Sequence, residues 1–158
     1  MINYINKSDS LDISSKGFKN HQKHSRGFQI INDYMARDFP VPDSVEDYVY
    51  VSQLLQAYGI TKGIEAQRRA KPYNMGTLFW QLNDCWPAVS WSSIDFFGNW
   101  KALQYKAKHS FENVLISSKV ENDTLKTYVV NDDLESLSGE LSIAIMDFHG
   151  NTIWSKKI

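Results

Sequence analysis

The sequence predicts an α/β unit followed by a smaller unit of antiparallel strands. Apolar residues recur at helical spacing in the first two thirds of the chain, and one short apolar run there is typical of a buried parallel strand. After residue 113 the pattern changes to short, β-branched, alternating segments separated by turn residues. We therefore place a domain boundary near residue 113.

The first third of the chain predicts a polar lead-in and one helix. Residues 1–20 interleave Ser, Asn, Lys and Asp with weak periodicity, which is typical of a loop or a poorly ordered segment. A helix is predicted over residues 25–37, where the apolar stripe consists of Phe28, Ile31, Tyr34 and Met35. Pro40 and Pro42 break this pattern.

A longer helix is predicted to follow. Asp43 or Ser44 can cap it, and the acidic Asp47 stands three residues after Ser44, as in a capping box. Gly59 and Gly63 weaken the second half, so either a kink or a pair of helices ending near residue 69 is compatible with the pattern.

The apolar run at residues 75–82 predicts a short strand buried on both faces, as in a parallel sheet. Helical spacing returns over residues 100–111. Four strands are then predicted at residues 114–118, 125–130, 140–148 and 152–156, with turns rich in Asn, Asp and Gly between them. This order predicts βα units followed by antiparallel hairpins.

Composition excludes several functional classes. The 158 residues carry 17 basic and 18 acidic side chains without a basic cluster, so a nucleic-acid partner is not expected. The lone Cys85 excludes an internal disulfide, and His21 and His24 lack partners at metal-ligand spacing. No apolar run reaches the roughly 20 residues of a membrane span, and the start of the chain does not resemble a signal peptide. No metal, cofactor or membrane span is predicted.

Tryptophans concentrate in one segment. Four of the five lie within residues 80–100, among small polar residues that follow the apolar run. An indole offers an apolar face for stacking and an N–H that seeks a partner. This combination suits a sugar ligand.

The same segment closely resembles the eighth strand, loop and helix of the catalytic barrel in β-mannosidases of glycoside hydrolase family 2. The resemblance rests on Trp-Gln-Leu-Asn-Asp-Cys-Trp-Pro at residues 80–87 and Ser-Trp-Ser-Ser-Ile-Asp at 90–95. Upstream, His-Gln-Lys at 21–23, Phe-Pro-Val-Pro at 39–42 and Tyr-Val-Tyr-Val-Ser-Gln at 48–53 resemble the segment between strand 7 and helix 7. About three quarters of the chain is covered.

The resemblance implies how the chain is organised. Residues 21–113 would form the C-terminal part of a (β/α)₈ TIM barrel, and residues 114–158 would form the first strands of an incomplete immunoglobulin-like β-sandwich. Such a barrel needs roughly 250 residues and such a sandwich about 100. Both cores would therefore be cut open, and we expect marginal stability, self-association, or a need for the missing N-terminal portion of the enzyme.

The resemblance also implies a function. Members of the family are retaining exo-β-mannosidases that release terminal non-reducing β-D-mannose with two glutamates. The acid/base follows an Asn on strand 4, and the nucleophile lies in a Ser-Glu-x-Gly-like motif on strand 7. Neither motif occurs here, so no catalytic residue is assigned and the isolated chain is expected to be inactive. The alternative is a non-catalytic carbohydrate-binding or interaction fragment.

Five residues are the candidates for binding a β-mannoside or a mannose-containing oligosaccharide. By the resemblance, Trp80 stacks on the sugar in the −1 subsite, whereas spacing alone is also compatible with a core role. Asn83 and Asp84 are predicted to bind hydroxyl groups or to hold the loop through backbone bonds, with the structural role favoured for Asp84. Trp86 and His21 are placed at the pocket rim, with packing roles as the alternative. The family's members imply a periplasmic, secreted or lysosomal location.

Overall fold

The computed structural model describes residues 12–158. The order of elements is α1 (Lys16–His21), α2 (Gly27–Asp38), α3 (Val45–Arg69), α4 (Ala102–Ser110), then β1 (Val114–Glu121), β2 (Thr124–Asn131), β3 (Ser142–Met146) and β4 (Thr152–Lys157). Predictions for residues 1–11 lie outside this range.

The prediction of a structureless segment up to residue 20 is wrong for its described part. Helix α1 begins after Ser15, whose side chain accepts a hydrogen bond from the Phe18 N–H. Phe18 is almost fully buried and meets Phe28 of α2 edge-on, with 6.1 Å between the ring centroids. The cap and one buried aromatic side chain thus stabilise a helix too short to show periodicity.

The two helices predicted next are confirmed. Helix α2 buries Met35, and Ser44 caps α3 by accepting a hydrogen bond from the Asp47 N–H. Helix α3 continues unbroken for 25 residues, so the alternative of two separate helices is wrong. Gly59 and Gly63 lie within it, and there is open space where their side chains would stand.

A small apolar core joins α3 to α4. Ala57 of α3 packs with Leu103 and Ala107 of α4, and the half-buried Phe79 packs against this cluster. Small residues therefore lie in the contact between the two helices, and one aromatic ring packs against it.

The prediction of a strand buried on both faces at residues 75–82 is wrong. This segment forms no ladder, and Leu78 is 98% exposed. Among residues 12–158, parallel pairing is limited to two isolated bridges, Gln22 with Val89 and Asn83 with Ile94. Apolar composition predicts burial only when neighbouring strands are present, and the described chain supplies none on either side of this segment.

The predicted antiparallel strands are confirmed as two hairpins. Strands β1 and β2 pair in register from Val114 with Asn131 to Glu121 with Thr124. Their turn residues Asn122 and Asp123 both have positive φ, of 50° and 56°, as a type I′ turn requires. Strands β3 and β4 form a separate two-stranded sheet with a bulge near Met146.

A polar cluster joins the helices to the first hairpin. The guanidinium of Arg68 donates hydrogen bonds to the carbonyls of Ser110, Glu112 and Asn113 at 2.6, 2.7 and 3.1 Å, and it pairs with Asp132 at 3.1 Å. The Arg68 side chain is only 6% exposed, so this ion pair is largely shielded from water. It satisfies carbonyls after the end of α4 that have no helical partner.

Candidate functional site

The tryptophan-rich segment forms a folded loop between residue 80 and the start of α4. The Ile94 N–H donates to the Leu82 carbonyl at 2.9 Å, and the Asp84 N–H donates to the Ile94 carbonyl at 3.2 Å. The Lys101 N–H donates to the Ser93 carbonyl at 2.9 Å. These bonds fold the loop back on itself and connect its two ends.

Asp84 lies at the centre of this loop and is almost fully buried. One carboxylate oxygen accepts a hydrogen bond from the Ser90 hydroxyl at 2.6 Å. The other accepts from the Ser92 hydroxyl at 2.5 Å and lies 3.3 Å from the Lys101 ammonium. Since each oxygen has partners inside the loop, this geometry favours the structural role of Asp84 over contact with a sugar.

Trp80 and Asn83 occupy the opposite situation at the start of the loop. The Trp80 side chain is 73% exposed, so it is not part of a core within the described chain. Asn83 is also exposed, and its amide donates a hydrogen bond to the adjacent Asp84 carbonyl at 3.4 Å. An exposed indole beside an amide can stack on the apolar face of a ligand and reach its polar groups.

His21 and Trp86 come together although 65 residues separate them. Their ring centroids are 5.3 Å apart, with 30° between the ring planes. The Nδ1 of His21 lies 2.6 Å from the Pro87 carbonyl oxygen. Because a carbonyl only accepts, Nδ1 carries the proton, and in the neutral ring Nε2 is therefore an acceptor.

Two further aromatic and acidic residues of the segment have structural partners. Trp91 meets His24 edge-on at 6.5 Å, and its carbonyl accepts a hydrogen bond from Gln56 of α3 at 2.8 Å. Asp95 forms a turn by accepting from the N–H groups of Phe97 and Asn99, both at 2.8 Å. Burial opposes ionisation of Asp95, but hydrogen bonds from Asn99 and Phe97 outweigh it and lower the pKa of this carboxyl.

The structure adds Ser90, Ser92 and Lys101 to the residues found from the sequence. Lys101 is half-buried, and burial lowers the pKa of its ammonium although Asp84 opposes this shift. The sequence does not predict the ion pair between Asp84 and Lys101, because the two residues are 17 positions apart and no helical or strand period relates them. The excess of serine after Trp86 was the available signal for a hydrogen-bonded loop.

Neither a metal site nor a membrane-spanning helix is found among the described residues. Among residues 12–158 there is no group of three or more His, Cys, Asp or Glu side chains placed to hold a metal ion. Within the same range, no helix combines the length and the apolar character needed to cross a membrane.

Comparisons with known proteins give a consistent family. A family model described as the mannosidase Ig/CBM-like domain matches residues 123–158. Beta-mannosidase A of Aspergillus terreus is 34% identical over 126 residues, which cover 73% of this chain and 14% of that protein. Beta-mannosidase of Bos taurus is 37% identical over 103 residues, which cover 57% of this chain and 12% of that protein.

Solved structures agree. The β-D-mannosidase of Dictyoglomus thermophilum matches with a TM-score of 0.78 and 29% identity over 97% of this chain and 19% of that one. The exo-chitosanase of Amycolatopsis orientalis has a TM-score of 0.74 at 20% identity, covering 92% of this chain and 18% of that one, which shows a shared fold alone.

These matches show the family of the chain. It belongs to the β-mannosidases of glycoside hydrolase family 2 and spans 12 to 14% of the length of the two curated relatives above.

Proposed function

We propose that the chain supplies part of the sugar-binding wall of a retaining exo-β-mannosidase that releases terminal non-reducing β-D-mannose. The observation that carries this proposal is the 73% exposure of Trp80 at the head of a loop whose other end is fixed by buried polar bonds. Relatives named β-mannosidase support the sugar class. Trp80 stacks on the mannose ring, and Asn83 bonds a hydroxyl group.

Trp86 and His21 form the rim of the same wall in this proposal. The contact between their tilted rings brings the loop and the end of α1 together, which supports a shared surface. Asp84 is proposed to act from beneath, since its carboxylate is occupied by Ser90, Ser92 and Lys101.

The proposed architecture accounts for the exposed apolar segment. Residues 21–113 are the C-terminal part of a TIM barrel, and residues 114–158 begin an immunoglobulin-like sandwich. In a complete barrel, residues 75–82 would lie against further parts of the enzyme, and their apolar side chains would be covered instead of facing water. Support comes from the likeness to the Dictyoglomus thermophilum enzyme over 97% of the chain and from the family match at residues 123–158.

The chain is proposed not to hydrolyse mannosides by itself. A retaining mechanism needs two carboxyl groups roughly 5–5.5 Å apart, one as acid/base and one as nucleophile. The sequence contains no Ser-Glu-x-Gly motif. Among the glutamates of the helical part, Glu65 contacts Ser117 and Arg69, and Glu112 contacts His109. These partners support structural roles.

Hydrolysis of a chromogenic β-mannoside by the purified 158-residue chain tests this proposal. We expect no turnover, together with measurable binding of methyl β-D-mannoside that Trp80→Ala abolishes. Trp154→Ala is the matched control, because Trp154 is also exposed but lies on β4. Turnover that Trp80→Ala abolishes would show that the chain assembles a complete acid pair and would overturn the proposed inactivity.

The exposed indole equally favours a second candidate, a non-catalytic carbohydrate-binding or interaction fragment. The two candidates differ in what an added N-terminal portion of a β-mannosidase does. Turnover that appears when the N-terminal portion is added supports the role as part of the enzyme. Mannoside binding that stays unchanged, with no turnover, supports the binding fragment.

A further inference from the structure

Lys101 occupies an unusual position for a lysine. It stands immediately before α4 as its N-cap residue, where its side chain makes no cap bond. Its side chain is only 15% exposed, and its ammonium donates to the Ser92 hydroxyl at 2.6 Å and to Asp84 at 3.3 Å. A lysine is seldom buried to this extent unless its charge is paired.

The partners of Lys101 come from a separate part of the loop. Asp84 and Ser92 are themselves buried, and Ser92 also donates to Asp84. Ser90 also donates to both Asp84 and Ser92. The ammonium of Lys101 supplies the positive charge that is paired with the Asp84 carboxylate in this cluster. Removing the ammonium leaves a buried carboxylate short of its opposite charge, which is costly in a low-dielectric site.

The same cluster connects the exposed site residues to the helices. Asp84 directly follows Asn83 and lies four residues after Trp80, while Lys101 is joined to α4, whose Leu103 belongs to the core with α3. Gln56 of α3, which donates to the Trp91 carbonyl, and Gln104 of α4, which accepts from Ser93, also join the loop to the helices. The contact of Lys101 with Asp84 adds a buried charge pair to these links. The backbone bond from Lys101 to Ser93 reinforces it.

We infer that Lys101 is a positioning residue whose ammonium holds Asp84 and Ser92 and thereby fixes the loop that presents Trp80 and Asn83. This inference rests on the proposed function for its consequence in sugar binding, but its structural half is independent of that function. Lys101 does not touch the ligand.

The charge surroundings of Lys101 make the contact sensitive to alkaline pH. Asp84 and Asp95 favour its charged form, whereas Lys23 and burial oppose it, and burial is the largest effect. The pKa of Lys101 is lowered from the ordinary 10.5. The ammonium therefore loses its proton, and the loop its anchor, at a pH below that of a solvated lysine.

The test compares Lys101→Met, Lys101→Arg and the control Lys108→Met, which changes an exposed lysine of α4. The readouts are the near-ultraviolet circular dichroism of the tryptophans and the affinity for methyl β-D-mannoside. We expect Lys101→Met to lose most of the tryptophan signal with unchanged helix content, and to weaken binding by about tenfold or more. Lys101→Arg, which keeps the charge, should rescue both readouts.

A pH titration keeps the inference testable if Lys101→Met does not fold. As the pH rises, the wild-type tryptophan signal should be lost at a lower pH than the ordinary lysine pKa of 10.5, whereas Lys101→Arg should retain it at the same pH. Because tyrosine ionisation affects both proteins equally, their difference isolates Lys101. Identical titrations, or an unchanged signal in Lys101→Met, would overturn the inference.

The two proposals fail in different ways. Absence of mannoside binding by the wild-type chain, with the loop signal dependent on Lys101 as described, would contradict the proposed function and support the positioning role. Binding by Lys101→Met as tight as wild type would contradict the positioning role alone.

Discussion

Asp84 shows how a polar residue in a ligand-binding sequence string can serve the loop itself. The sequence allows either a sugar contact or a structural role, with the structural role favoured, and the carboxylate is almost fully buried and bonded to Ser90, Ser92 and Lys101. The local tendency of Asp to bond within its own loop was visible in the sequence. The identity of its partners was not, because they depend on how the loop folds back.

Replacing Asp84 by alanine should destabilise the chain by about 3 kcal/mol, because Lys101 would be left half-buried without its opposite charge. Asp84→Asn, which keeps the shape, should cost less. Asp33→Asn, at an exposed position on α2, is the control. The free energy of unfolding in urea gives the comparison, and a loss no larger than that of the control would refute the network.

The stacking of Trp80 on a sugar, which the resemblance implies, remains a prediction. The exposure of Trp80 was not foreseen from spacing, since the apolar run around it predicted burial. The apolar residues around Trp80 are compatible with both exposure and burial. They are exposed when no neighbouring strands cover them, and a complete sheet would bury them.

At the scale of elements, helices α2, α3 and α4 and both hairpins were predicted from periodicity and turn residues. The errors have distinct causes. Helix α1 is too short for a period and depends on the Ser15 cap, while α3 continues through Gly59 and Gly63 although glycine lowers helix propensity. A hydrophobic pattern shows neither a side-chain cap nor the continuity of a helix through glycines.

The β1–β2 turn offers a local test. Asn122 and Asp123 both adopt positive φ, a region that a β-branched residue strongly disfavours. Asp123→Val should therefore destabilise the hairpin by about 1 to 2 kcal/mol, whereas Asp123→Gly should be neutral or stabilising. Thermal unfolding measures both. Equal midpoints for the valine and glycine variants would contradict the type I′ turn.

The junction between the helices and the first hairpin should be sensitive to acid. The hydrogen bond from Lys71 to Asp132, aided by the charge of Arg68, holds the pKa of this carboxyl below its ordinary value of 3.8. The unfolded chain therefore binds the proton first as pH falls. The resulting stability is present above about pH 3.8 and is lost as pH falls through the lower folded pKa.

Asp132→Asn should remove this part of the acid dependence. Urea unfolding of wild type and variant at several pH values between neutrality and pH 3 gives the measurement. Other carboxyls with lowered pKa, including Asp95 and Asp147, remain in both proteins and cancel in the difference. A stability difference that does not change with pH would contradict the role of Asp132.

At the scale of the whole molecule, the described chain has more large apolar side chains exposed than buried in its small core. Tyr73, Met75 and Leu78 are each more than two-thirds exposed along one extended segment. Exposed apolar segments with unpaired backbone groups associate with other chains. The arrangement fits a chain that matches only a part of each relative's length.

We expect the purified chain to self-associate in a concentration-dependent manner. Leu78→Lys should shift it toward monomer, because a charge then replaces a nearly fully exposed leucine. Lys108→Leu, which adds an apolar residue on the exposed part of α4, provides a reciprocal control. Sedimentation velocity across a concentration series measures this. A monomer at all concentrations, with sharp reversible unfolding, would contradict the expectation.

Saturation-transfer difference NMR with methyl β-D-mannoside tests most directly whether the Trp80 loop binds mannose. We predict a transfer signal for the wild-type chain that persists in Trp154→Ala and disappears in Trp80→Ala. The absence of a signal from the wild-type chain, or an equal signal from the Trp80→Ala chain, would contradict the proposed binding.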